Sequence, residues 1–81
     1  MVTLKQIEAF YWACTLGSFE AAAQKLNTAQ STISKRIQEF EIHSKVLLFD
    51  RTKRTVRLTM KGQELLRHAE EMLNRRNAMV L

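Results

Sequence analysis

The sequence of 81 residues contains no proline, two glycines and a single cysteine. One cysteine excludes an intramolecular disulfide, and no Cys/His spacing resembles a zinc site, so the composition favours a reducing compartment. Cys14 shares the apolar side of its segment, and we expect a buried, inert thiol. Lys5, Glu8 and Glu20 interrupt any secretory or membrane-spanning run. We therefore expect a cytoplasmic protein that does not bind membranes.

The chain is too short for two independent cores. At this length folding buries on the order of 60% of the unfolded surface, which leaves little room for a deep substrate pocket. Ser31 and Ser34 have no histidine placed as a base, and the pair Glu64 and His68 lacks a third metal ligand. We predict no enzymatic activity, no metal and no cofactor.

Positive charge is unevenly distributed along the chain, whose net charge is +5. Residues 1–50 hold five basic and five acidic side chains, whereas residues 51–81 hold eight basic and three acidic ones. Five of these cations and no anion lie between Arg51 and Lys61, interleaved with threonine. Because the overall composition is ordinary for a globular domain, we expect this charge on a folded element.

Helical periodicity predicts four helices. Thr3 is a candidate cap for the first, which ends at Gly17, and Ser18 is a candidate cap for the second. Asn27 or Thr28 is expected to cap the third. A short helix and a third helix separated by a tight polar turn form the outline of a helix-turn-helix.

The third helix divides its residues between two faces. Ile33, Ile37 and Phe40 share the side expected to face the core. The other side carries short polar residues and one cation: Ser31, Ser34, Lys35 and Gln38. An isolated helix of this kind would ordinarily present a solvated surface, but its place after a short helix and turn favours a binding face.

The hydrophobic period changes after Lys45. Alternation over residues 55–58 predicts a two-stranded hairpin around residues 52–54. Its expected inward residues are Leu48, Val56 and Leu58, and its expected exposed cations are Arg51, Lys53, Arg54 and Arg57. Since an isolated hairpin is only marginally stable, this one must pack on the helices.

Thr59 is expected to cap a last helix that runs to the end of the chain. Its apolar stripe comprises Leu65, Leu66, Ala69, Met72, Leu73, Met79 and Val80. About 22 residues at roughly 1.5 Å each give a rod of about 33 Å, longer than a core of this size covers. We expect a second copy to cover the rest, with dimer contacts at Leu65, Leu66, Ala69, Met72 and Leu73, and we expect the chain to be part of a longer protein.

A helix-turn-helix followed by a basic hairpin is the arrangement of a winged helix-turn-helix. We predict a mostly α fold, with residues 1–58 as a DNA-binding domain (three-helix core plus two-stranded β wing) and residues 59–81 as a linker and dimerisation helix. Cations on the wing would neutralise phosphates of double-stranded DNA and release counterions. The alternative is a helical protein-interaction module whose basic surface binds an acidic partner or a membrane, but it leaves five cations on a threonine-rich hairpin unexplained.

Several segments together match one family pattern. They are Gly17–Phe19, Ala22–Ala23, Leu26, Gln30–Ile37, Leu48–Arg51, Leu58–Thr59 and Gly62. In these residues the chain resembles the LysR-type bacterial transcriptional regulators. The resemblance implies an amino-terminal DNA-binding domain, a linker helix that pairs two subunits, and a further domain that binds a small co-inducer. We therefore expect a homodimer, with a higher oligomer open to the full protein, and a co-inducer site only outside this chain.

The resemblance also implies which side chains contact DNA. Carried over by position, these are Gln30, Ser31, Thr32, Ser34 and Lys35 on the recognition helix and Arg51, Lys53 and Arg54 on the wing. Ser31 stands where proline is common in the family. Lys35 stands where arginine is common, so a bidentate guanine contact becomes a single-point contact. Lys45 and Lys53 occupy turn positions often held by glycine, which predicts a positive φ or a different turn.

Overall fold

The computed structural model describes residues 2–50 and 56–80, with the backbone alone described for residues 75–80. This part of the chain forms four α-helices: α1 (Leu4–Leu16), α2 (Phe19–Lys25), α3 (Gln30–Ser44) and α4 (Met60–Val80). Helices α1, α2 and α3 all pack on one another, and α4 packs on α1. The predicted mostly helical fold is confirmed. No helix within the described residues is long and apolar enough to cross a membrane.

Local hydrogen bonds at the helix ends explain where α1 and α2 begin and end. The Thr3 hydroxyl accepts from the Gln6 amide, and the Gln6 side chain accepts from the Thr3 amide, which completes a capping box. Gly17 ends α1 with a φ of 86°, in the left-handed region that glycine adopts without strain. The Ser18 Oγ accepts from the Ala21 amide at 3.0 Å. These three predicted boundary residues are confirmed.

The start of α3 differs from the prediction. Its N-cap is Ala29, which makes no side-chain capping hydrogen bond. Asn27 instead takes a φ of 57° and closes the turn after α2, and the Thr28 amide donates to the Ala23 carbonyl at 2.9 Å. Asparagine tolerates the left-handed conformation better than most residues, so the turn uses it there. The predicted cap at Asn27 or Thr28 is wrong.

The core lies between α1, α3 and the segment after α3. Phe10, Ile33, Ile37 and Leu48 are its largest fully buried side chains. The Phe10 ring makes edge contacts with Phe40 and Phe49 at centroid distances of 5.4 and 5.6 Å. The expected inward face of the third helix is therefore confirmed, since Ile33, Ile37 and Phe40 are all buried.

The predicted two-stranded β wing is not confirmed within the described residues. In residues 2–50 and 56–80 there is no strand, only a single antiparallel bridge between Phe49 and Leu58. The Asp50 amide donates to the Arg57 carbonyl at 2.8 Å beside it. Residues 51–55, which include the predicted turn, lie outside the described residues. The expected inward residues behave as predicted: Leu48 is buried, and Val56 and Leu58 pack half-buried against the core.

Helix α4 begins at the predicted cap. The Thr59 Oγ1 accepts from the Gly62 amide at 3.0 Å, and the Thr59 carbonyl accepts from the Gln63 amide at 3.0 Å.

Another expected backbone feature is present at Lys45, which ends α3 with a φ of 60°. Of the two outcomes expected for this lysine, a positive φ or a different turn, the structure has the positive φ.

Candidate nucleic-acid interface

The predicted contact residues on α3 lie together over its first two turns. Gln30, Ser31 and Lys35 are exposed, while Thr32 and Ser34 are half-buried. Because Ile33 and Ile37 are fully buried, the helix cannot rotate to hide this polar side without exposing core. The fold therefore holds a row of short hydrogen-bonding side chains at the surface.

The amino-terminal turn of α3 has an electrostatic property that the sequence did not predict. Ala29 offers no side-chain acceptor to the first amides of the helix, and the first turn contains no acidic residue. Unsatisfied amides and the positive end of the helix dipole favour an anion. The missing cap thus leaves the beginning of α3 suited to a phosphate group.

The cationic part of the predicted site includes residues 51–56, between Asp50 and Arg57, which we call the basic segment and which are only partly described. Arg51, Lys53 and Arg54 lie outside the described residues, so the structure does not place them. Arg57, on the far side of that segment, is exposed. Its carbonyl accepts from Asp50, which joins the two ends of the basic segment next to Phe49 and Leu58. The described residues on either side of the basic segment therefore lie side by side at the core.

Sequence reasoning missed one charged residue that supports this surface. Glu41 on α3 is only 7% exposed, and its Oε2 accepts from the backbone amides of Leu48 at 2.8 Å and Phe49 at 3.4 Å. Its only signal in the sequence is its position beside Phe40, at the edge of the core face. The carboxylate connects the end of α3 to the base of the basic segment.

The remaining candidate groups within the described residues are the Cys14 thiol and the His, Asp and Glu side chains. The Cys14 side chain is half-buried rather than fully buried. Burial and, to a smaller extent, the charge of Glu70 together raise the pKa of its thiol to about 12. The thiol is therefore protonated at neutral pH and is a poor nucleophile. Within the described part of the chain, no three His, Cys, Asp or Glu side chains come together as metal ligands.

The dimer residues predicted on α4 fall into two groups. Ala69 is 2% exposed, and Leu65 and Leu66 pack half-buried against the core of the same chain. Met72 is 45% exposed and Leu73 is half-buried. The stripe therefore covers the monomer core over its first part and becomes accessible near Met72.

A short helix, a tight turn and a helix with an exposed polar face define a helix-turn-helix protein. Residues 4–63 match the family model described as "Bacterial regulatory helix-turn-helix protein, lysR family". The chain belongs to this family. The resemblance drawn from the sequence is confirmed, and the predicted function as the DNA-binding domain of a LysR-type regulator is supported over a membrane or acidic-partner module.

Individual proteins show the same similarity. An uncharacterized HTH-type transcriptional regulator of Sinorhizobium fredii is 46% identical over 67 residues, which are 83% of this chain and 22% of that protein. The HTH-type transcriptional activator AllS of Klebsiella pneumoniae is 41% identical over 73 residues, 90% of this chain and 27% of that protein. This chain thus spans about a quarter of the length of these two relatives.

Solved structures agree with the sequence comparison. The crystal structure of the BenM_DBD/catB site 1 DNA complex superposes with a TM-score of 0.91 at 31% identity, covering 96% of this chain and 88% of that one. OxyR of Corynebacterium glutamicum in its oxidized form gives a TM-score of 0.90 at 29% identity, covering 99% of this chain and 26% of that one. The fold is thus found both in a chain of similar length bound to DNA and within longer proteins.

Proposed function

We propose that this domain binds double-stranded DNA sequence-specifically, with the first two turns of α3 in the major groove. The observation that carries the proposal is the exposed polar face of α3, backed by fully buried Ile33 and Ile37 and free of acid in its first turn. Carboxylates there would repel the phosphates, whereas serine, glutamine and lysine suit base edges and backbone oxygens.

Each side chain on this face has a distinct chemical role in the proposal. Gln30 can bond adenine in two places, and Lys35 gives guanine a single-point contact. Ser31, Thr32 and Ser34 donate to or accept from base edges and phosphates. The open amides at the start of α3 contribute a further phosphate contact, which fixes the helix in the groove.

The basic segment adds affinity without adding sequence preference. We place Arg51, Lys53 and Arg54 on the sugar-phosphate backbone or in the minor groove, with the wing extending from the Phe49–Leu58 bridge. Neutralised phosphates release counterions whatever the base sequence. Changes to these cations should therefore weaken binding to selected and random DNA alike.

Residues 59–81 form the linker helix in this proposal, and residues 1–58 form the DNA-binding unit. The accessible part of the stripe on α4, beginning near Met72 and Leu73, pairs with a second copy. A two-fold dimer with one α3 in each subunit reads two inverted half-sites about one or more DNA turns apart. The much greater length of the relatives leaves room outside this chain for a co-inducer domain, in a cytoplasmic regulator without enzymatic activity of its own.

Selection of bound sequences from a random duplex pool tests the proposal and returns both the half-site and its spacing. Affinity for the selected site should fall about a thousandfold between roughly 50 and 200 mM salt if about six phosphates are contacted. A nearly flat salt response, or equal binding to all duplexes, would contradict the proposal. Tighter binding to anionic vesicles than to any duplex would favour the membrane-binding alternative.

Single substitutions on α3 test the contacts themselves. Gln30→Ala or Ser34→Ala should reduce the preference for the selected site over random duplex by about 1 to 3 kcal/mol, because each removes a base-edge partner. Gln63→Ala is the matched control, since Gln63 is exposed on α4 and has no proposed contact. Equal losses of affinity for selected and random DNA would show that these side chains position the helix on the DNA backbone and do not read bases.

A further inference from the structure

Glu41 is a charged side chain buried inside a domain this small. Burying a carboxylate costs several kcal/mol unless donors replace its water, and here the amides of Leu48 and Phe49 do so at 2.8 and 3.4 Å. Hydrogen bonds to a charged acceptor are about twice as strong as neutral ones. The interaction therefore fixes the backbone of residues 48–49 firmly against α3.

The position of Glu41 along α3 matters as much as its burial. Residues seven apart project from nearly the same side of an α-helix, so Glu41 lies on the side of Ser34, about 10 Å further along the axis. Ser34 belongs to the proposed DNA-binding face, whereas Glu41 is covered by the segment it holds. Glu41 thus brings residues 48–49 to the same side of α3 that carries Ser34.

The segment held by Glu41 also carries the start of α4. The Leu48 carbonyl accepts from the Thr59 amide at 3.1 Å, and the Leu47 carbonyl accepts from the Thr59 Oγ1 at 2.5 Å. Gly62 lies directly against the Leu48 carbonyl. The basic segment leaves from Asp50 and returns at Arg57, whose carbonyl holds the Asp50 amide at 2.8 Å. Leu48 and Phe49 are therefore bound to α3 and to the start of α4, and they lie next to the Asp50–Arg57 pair that flanks the basic segment.

We propose that Glu41 is a positioning residue for DNA recognition: its carboxylate sets the placement of residues 48–50, from which the basic segment extends, and of the start of α4 relative to the DNA-binding face of α3. This inference rests on the proposed function. Glu41 makes no contact with DNA itself. By fixing the two elements relative to each other, it allows the contacts from α3 and from the basic segment to form at the same time. A DNA site with the matching spacing then binds more tightly than a random one.

The test compares Glu41→Gln with Glu39→Gln in the intact domain. Both variants remove one negative charge from α3, so their general attraction to phosphates rises equally. Glu39 accepts from the Gln6 side chain of α1 at 3.4 Å. We expect Glu41→Gln to lose about tenfold or more in preference for the selected site over random duplex, while Glu39→Gln keeps it within about twofold.

A double-mutant cycle separates positioning from a loss of stability. In the unchanged protein Lys53→Ala and Arg54→Ala should weaken binding to the selected site; in the Glu41→Gln background the same changes should weaken it less, because the wing is already misplaced. Additive effects, or equal site preference in Glu41→Gln and Glu39→Gln, would overturn the proposal. If the unchanged domain binds no duplex, the proposed function itself is wrong, and this result is distinct from a failure of the proposal for Glu41.

Folding is followed by urea titration of each variant. If Glu41→Gln is unfolded, Glu41→Asp takes its place, since it keeps the charge but is one methylene too short to reach both amides. Loss of site preference in folded Glu41→Asp would support the positioning role. If both variants are unfolded, Glu41 serves folding alone and the proposal is wrong.

Discussion

Gly62 is the third residue of α4. Replacing a glycine in a helix by alanine ordinarily stabilises a protein, but we expect Gly62→Ala to destabilise this one. An added Cβ would press on the Leu48 carbonyl oxygen, closer than any ordinary Cβ contact, and would lie 3.1 Å from the Leu58 Cδ2 and 3.2 Å from the Leu48 carbonyl carbon. The oxygen cannot move aside cheaply because it accepts from the Thr59 amide at 3.1 Å. Helix α4 would have to shift away from the segment.

Two opposing terms set the size of the effect. Alanine is favoured over glycine inside a helix by about 1 kcal/mol. Overpacking against a fixed backbone costs about 1 to 3 kcal/mol, and here the obstacle is a carbonyl group rather than a flexible side chain. Because the obstacle is fixed, the overpacking cost should lie in the upper part of its range and exceed the gain in helix propensity. We therefore expect Gly62→Ala to lower the free energy of unfolding by about 1 to 2 kcal/mol.

Urea unfolding followed by far-UV circular dichroism measures this change. Gln63→Ala is the matched control, because Gln63 is the next residue on the same helix and is exposed; it should change the free energy of unfolding by no more than about 0.5 kcal/mol. A Gly62→Ala variant as stable as the original or more stable would show that helix propensity outweighs the contact with Leu48, and would refute the reasoning.

Three further predictions concern Lys45, Cys14 and Leu73. Lys45→Gly should raise the free energy of unfolding by up to about 1 kcal/mol, because a φ of 60° is strained for a residue with a side chain. Asn27→Gly should raise it less, since asparagine tolerates this conformation. A lower free energy of unfolding in Lys45→Gly would contradict the prediction. Since the pKa of the Cys14 thiol is raised from 9.0 to about 12, the free energy of unfolding should fall as the pH rises above 9, where only the unfolded thiol ionises. Cys14→Ser should lack this part of the pH dependence, and an unchanged profile would argue against burial of the thiol. Leu73→Asp should shift sedimentation towards monomer with the helical signal kept, and should weaken binding to a paired site more than to one half-site, unlike Asn74→Asp. A fragment that is monomeric and non-cooperative without any substitution would place dimerisation outside this chain.

The sequence by itself determined the features that depend on near neighbours. The caps at Thr3, Ser18 and Thr59 are formed by side chains acting on amides three residues away, so their spacing alone predicted them. The buried face of α3 followed from the helical period. For Lys45 the resemblance to the family predicted a positive φ or a different turn, and the structure has the positive φ. The segments that resemble the family were enough to predict its membership.

Only the tertiary structure decided how distant segments use these local elements. Whether Asn27 capped α3 or closed the turn after α2 depended on where α2 ended, and either role suits an asparagine. Ala69 lies on the stripe predicted for a second copy, yet it is already buried within the chain, where α4 packs on α1. Glu41 reads as a surface residue until Leu48 and Phe49 bring their amides to it. For Ala69 and Glu41 the helical pattern fixes which side of the helix the residue is on, but burial depends on what another part of the chain places against that side.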